Sequence, residues 1–127
     1  MKNLVALVLS GLLVACTGKF DVDVYRDLTQ MAVLTQDGKS ACERMVTPGD
    51  TTMERLLARA RHVETWLSEK GDDTDMHKIS VQILDEVVRF KSMADHGKPS
   101  MVFCQAKMRN INDTVRIGMR AEGKKDR

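Results

Sequence analysis

The stretch Asp23–Met45, DVYRDLTQMAVLTQDGKSACERM, decides the fold class. Val24, Leu28, Met31, Thr35, Gly38, Cys42 and Met45 recur in it at alternating steps of four and three. That spacing draws one apolar stripe along a helix, because 3.6 residues complete a turn. Asp37-Gly38 is the weak point: a glycine inside a helix costs about 1 kcal/mol. Since the stripe continues to Cys42, the reading is one bent or broken helix, with Pro48-Gly49 turning the chain afterwards.

Three more helices follow. Thr51-Thr52-Met53-Glu54 has the form of a capping box. Met53, Leu56, Leu57, Ala60, Val63, Glu64 and Leu67 then lie at helical spacing, and Gly71 is placed to end the element in a left-handed conformation. Asp72, Asp73 or Thr74 can cap a third helix whose inner face is Met76, Ile79, Ile83, Leu84, Val87, Phe90 and Ala94, stopped at Gly97-Lys98-Pro99. A fourth starts near Ser100 with Met101, Cys104, Met108, Ile111, Val115 and Gly118 or Met119 as its stripe. Short connections between successive helices favour antiparallel neighbours, so the expected fold is all-α, a four-helix up-down-up-down bundle over residues 23–120. Residues 121–127 are expected to fray as a disordered basic tail.

Composition narrows the function classes. The chain has 127 residues, of which 20 are Lys or Arg and 18 Asp or Glu, enough for one domain with no strong charge bias. Only 4% of residues are aromatic, so base-stacking platforms for nucleic acid are not expected.

The first residues carry an address. Met1-Lys2-Asn3 precedes an apolar run from Leu4 to Ala15, shorter than the 20 or so residues that span a bilayer. Leu13-Val14-Ala15-Cys16 resembles the lipobox of bacterial lipoproteins at all four positions. The resemblance implies removal of residues 1–15, acylation of Cys16, and a short tether over 16–22. Thr17 stands where the family's inner-membrane retention signal has Asp, which implies an outer-membrane anchor facing the periplasm. The mature chain would have 127 − 15 = 112 residues.

With Cys16 acylated, Cys42 and Cys104 are the two remaining thiols in an oxidising compartment and are expected to pair. Closing a loop of 104 − 42 = 62 residues would stabilise the fold by about 4 kcal/mol in the chain-entropy account. The competing readings are two free buried thiols, or a metal or redox pair. In an up-down-up-down bundle the end of helix one and the start of helix four share a pole, so this bond would tie first to last.

Candidate chemistry is sparse. His62, His77 and His96 lack a second His or Cys at ligand spacing and read as solvated surface residues; no nucleophile–base arrangement surrounds Ser68, Ser80, Ser92 or Ser100. No enzyme activity, metal site or cofactor is expected. Arg55, Arg59 and Arg61 crowd the start of helix two, and seven basic against three acidic residues lie between Lys107 and Arg127, a balance suited to anionic lipid or an acidic partner. The eight Met that remain after residue 15 suit either core filling or a groove for a partner helix.

A small helical lipoprotein with one disulfide from first helix to last resembles the pilotins of type II secretion systems. The likeness runs from Val24 to Met119 and rests on the lipobox, on Cys42 followed by Arg44 and a Pro-containing turn, and on Gly97-Lys98-Pro99 leading to Cys104 and Asn110. The family has a Trp after a Gly that follows its second helix, whereas here Trp66 precedes Gly71. The resemblance implies a partner-binding module that receives a C-terminal secretin segment in a groove between helices, with no individual contact residue assignable. The alternatives are an exclusion or inhibitor lipoprotein of a phage or plasmid that binds an envelope protein, and a Met/His metal carrier.

Overall fold

The computed structural model describes residues 19–43, 50–97 and 99–126. Among the described residues four helices make up the fold: α1 (Val22–Glu43), α2 (Asp50–Glu69), α3 (Asp75–His96) and α4 (Met101–Gly123). Each packs on its neighbours in sequence and α1 closes the ring against α4, the most extensive of the four interfaces. Cys42 is bonded to Cys104 with Cα atoms 5.7 Å apart, while at the other end the Asp21 N–H meets Glu122. The two ties fix α1 and α4 as antiparallel, and with the short connections they define the up-down-up-down bundle. None of the described helices is long and apolar enough to cross a membrane.

The core follows the expected stripes. Leu28, Met31, Leu56, Leu67, Val87 and Val115 have essentially no exposed surface. Phe90 is the largest fully buried side chain. Met31, Met53, Met76 and Met108 are buried among them, so most of the methionine in the bundle fills core volume. Helix α1 runs unbroken through Gly38, which is buried. A glycine's penalty of about 1 kcal/mol is small against the burial of the turn that carries the stripe on to Cys42. Met45 and Pro48-Gly49 lie outside the described residues.

The helix ends show what stops and starts the chain. Gly71 has φ 67°, the left-handed value expected of it. Ser100 caps α4 by accepting the Phe103 N–H at 3.2 Å. Thr74 occupies the N-cap position of α3 without capping it through its side chain. Its N–H and hydroxyl both donate to Asp72 instead. Helix α2 already includes Asp50, which puts Thr51 inside the first turn rather than at the cap.

Two boundaries differ from expectation. Residues 121–126 do not fray: α4 continues to Gly123, Glu122 is fully buried, and Phe20 N–H donates to the Asp126 carbonyl at 2.7 Å. Lys19 pairs with Asp126 as an isolated parallel bridge, so Lys19–Asp21, expected to be free tether, belong to the fold. The physical reason is an ion cluster. Lys125 Nζ donates to Asp72 at 2.7 Å and lies 2.9 Å from Glu122, with all three side chains at least nine-tenths buried. A basic tail that finds two buried carboxylates docks rather than solvates.

Candidate partner-binding groove

On α1 the residues flanking the core stripe are Thr29, Gln30, Val33 and Leu34, and on α2 they are Arg55, Ala58, Arg59 and His62. Both sets repeat at helical spacing, so they face each other along the α1–α2 seam and enclose a groove of about 560 Å³. Ala58, small and exposed, lines the α2 wall, and Val33 stays 57% exposed on the opposite one. The walls are apolar at Val33, Leu34 and Ala58. The α2 lip is cationic.

One cation of that lip is tied down from below. Asp27 is buried in the α1–α2 interface, accepting from Arg59 Nη1 at 2.9 Å and meeting His62 Nδ1 at 2.6 Å. A carboxylate oxygen accepts, so the proton of that contact sits on Nδ1 and Nε2 is turned away from Asp27. His62 is therefore exposed, as expected, yet held in one orientation. Arg55 is exposed and has no acidic partner among the described residues.

The α3–α4 seam has a larger groove of about 770 Å³ that includes Val88, Met93, Phe90 and Ile111. Some of its polar groups serve one another: Arg89 pairs with Asp85 at 3.1 Å, and Glu86 Oε1 accepts from Gln82 and Thr114, while the buried Glu86 Oε2 has no hydrogen-bond partner among the described residues. A ligand entering there would compete with contacts the chain makes itself. At the α1–α2 groove Arg55, Val33 and Ala58 are uncommitted.

The pole around Asp21 is the most strongly titration-shifted part of the molecule. Asp21 Oδ1 caps α1 by accepting from the Asp23 and Val24 N–H groups, while Oδ2 accepts from Trp66 Nε1 at 2.7 Å and Lys70 Nζ at 2.9 Å. Burial alone would raise its pKa; the bonds from Lys70, Trp66 and Val24 and the Lys70 charge outweigh that and bring it down to about 2. Asp72 is likewise held low against its own burial by Lys125 and Thr74. The Lys125 pKa is raised, its burial outweighed by Asp72 and Glu122.

Of the residues singled out in the sequence, Cys16 and the lipobox lie outside the described residues. Cys42 and Cys104 are joined to each other. The three histidines stay apart: His62 on Asp27, His77 3.8 Å from Glu64, and His96 with Nδ1 on the Ser92 carbonyl. Among the described residues no three His, Cys, Asp or Glu side chains gather as metal ligands. Asp27, Asn112 and Glu122 are among the buried polar groups that the sequence reading missed. Asn112 donates to the Ala32 carbonyl and Thr35 Oγ1 across α1–α4 and accepts from Arg116. Each had a signal: Glu122 stands four residues after Gly118 on the apolar stripe, Asp27 three after Val24, and Asn112 beside Ile111.

Fold and site together define a disulfide-tied antiparallel four-helix bundle with a cation-lipped interhelical groove. No protein-family model, no curated protein and no solved structure matches this chain.

Proposed function

We propose that this chain is a lipoprotein anchored through Cys16 to the periplasmic face of the outer membrane, acting as a partner-binding module with the α1–α2 groove as its binding surface. The observation that carries the reading is the groove itself: an apolar trough at Val33, Leu34 and Ala58 beside Arg55, which has no acidic partner among the described residues. Such a seam suits an amphipathic helix whose apolar side chains enter the trough and whose carboxylates meet the α2 lip. The particular role is that of a pilot, receiving the C-terminal segment of a secretin-like secretion component, as the resemblance to pilotins implies. A photo-crosslinking residue at Val33 should then capture a secretin-like component in the cell envelope, whereas the same residue at Val81, on the exposed face of α3, should not. Ala58→Trp should fill the trough and abolish the adduct with helicity unchanged. Capture of a phage or conjugation receptor from Val33 would instead assign an exclusion role, and equal capture from both positions would discard the groove.

A further inference from the structure

The outward stripe of α4 reads Val102, Ala106, Arg109, Asp113, Arg116, Arg120 and Lys124. At 100° per residue, these positions fall within an arc of about 80°. The stripe is amphiphilic. Val102 is the most exposed large apolar side chain at 72%, and Ile117, 46% exposed, flanks the line. Four cations oppose one acid, and no ion pair engages any of the four among the described residues; Arg116 donates only to the amide of Asn112. Each of the other helices carries at least one paired cation, although Lys39, Arg55, Arg61 and Lys78 are also outside any ion pair among the described residues. On α3, Arg89 and Lys91 are paired with Asp85 and Asp95; on α1, Arg26 is paired with Asp23; and on α2, Arg59 is bound to Asp27.

The first described residues are held at the end of this same helix. Lys19 and Phe20 dock on Asp126 just beyond α4, and Cys16 is three residues upstream of Lys19. Three residues reach at most about 10 Å. An acyl chain on Cys16 therefore keeps this pole of the bundle near the headgroups, and the C-terminal half of α4, where Arg116, Arg120 and Lys124 lie, is among the elements that meet at it.

We infer that α4 is the membrane-facing side of the protein, its cationic stripe lying on the anionic phospholipid headgroups into which Cys16 inserts. The occupant follows from charge and reach together: each cation near such a surface adds to attraction that decays over about 8 Å at physiological ionic strength, within the span of the tether. Helix α2 lies diagonally across the ring from α4, so this orientation turns the α2 lip of the α1–α2 groove away from the lipid. The position of the tether rests on the acylation of Cys16 given under the proposed function; the charge of the stripe does not.

The test uses the full-length chain on vesicles of phosphatidylcholine alone or with phosphatidylglycerol, with arginine modification read peptide by peptide. Flotation with the neutral vesicles that is lost in Cys16→Ser reports the anchor by itself. On the anionic vesicles Arg109 and Arg120 should react about tenfold more slowly than on neutral ones, with Arg55 and Arg61 unchanged and the protection lost in high salt. Arg120→Gln combined with Lys124→Gln, both exposed and free of ion pairs among the described residues, should remove most of the protection at Arg109 without altering helicity. Arg109 and Arg120 equally reactive on both vesicles, or Arg55 and Arg61 protected to the same extent, would overturn the orientation even if the anchor is confirmed.

Discussion

The two poles of the bundle solve one problem by different chemistry. At one, Cys42–Cys104 joins the end of α1 to the start of α4 by a covalent bond. At the other, the start of α1 meets the end of α4 through Asp21, Glu122, Lys125 and Asp72, which are ionic and hydrogen-bonded. A disulfide acts chiefly by limiting the unfolded chain and is insensitive to pH and salt. A buried ion cluster acts in the folded state and holds only while every member keeps its partner and its charge. The molecule thus has one end that responds to reductant and one that responds to acid.

Breaking the covalent pole should have the largest effect. Cys104→Ala should lower the unfolding free energy by about 2–4 kcal/mol, read by denaturant titration of the oxidised protein, and reductant should bring the parent protein to the same stability. At the opposite pole, Lys125→Met leaves Asp72 and Glu122 facing each other without a cation. Removing one partner of a buried pair costs about 3–5 kcal/mol, but here the tail can peel back and let water reach the carboxylates, so about 2–3 kcal/mol is expected. Hydrogen exchange should show the loosening confined to residues 19–24 and 118–126, with amides beside Cys104 unaffected.

Acid sharpens the contrast. The Asp21 carboxyl titrates near 2 in the fold against an ordinary 3.8, so its contribution is complete above about pH 4 and disappears as the pH falls through about 2. Asp72, also lowered, acts in the same direction. Lys125, raised, contributes below its ordinary 10.5 and loses that contribution only in stronger alkali. Asp21→Asn should therefore be less stable than the parent at pH 7, and the gap should narrow between pH 4 and pH 2. A gap of constant size across that range would remove Asp21's charge from the account. The smallest effect belongs to the turn at this pole. Gly71→Ala meets no neighbouring atom within 4 Å, so its cost should be only that of the left-handed backbone, about 1 kcal/mol.

The covalent pole was legible and the ionic one was not, for reasons visible in particular residues. Cys42 and Cys104 are rare side chains that fall on apolar stripes, and the expectation that they pair rests on assigning Cys16 to the lipobox in an oxidising compartment, with the antiparallel order placing both at one pole. Asp72, Glu122 and Lys125 are common surface residues at a helix junction and near a chain end, and composition around Lys124-Lys125 suggested a solvated tail. The α1–α2 groove was legible only in part. Arg55 and Arg59 stood out as a basic run, but Asp27, which holds Arg59 and His62, lies more than 30 residues away, and no local pattern joins them.

By itself the sequence determined the four helices, the faces they bury, the left-handed turn at Gly71 and the identity of the two bonded cysteines. These are set by periodicity, backbone conformation and sulfur chemistry, which act over one turn of chain or involve uncommon residues. Only the tertiary structure decided that Lys125 is buried rather than solvated, that Asp27 anchors one lip of a groove, and that Lys19 and Phe20 dock on Asp126 just beyond α4. Those outcomes depend on which charges meet across the bundle, and ordinary charged side chains find their partners only after the helices have packed.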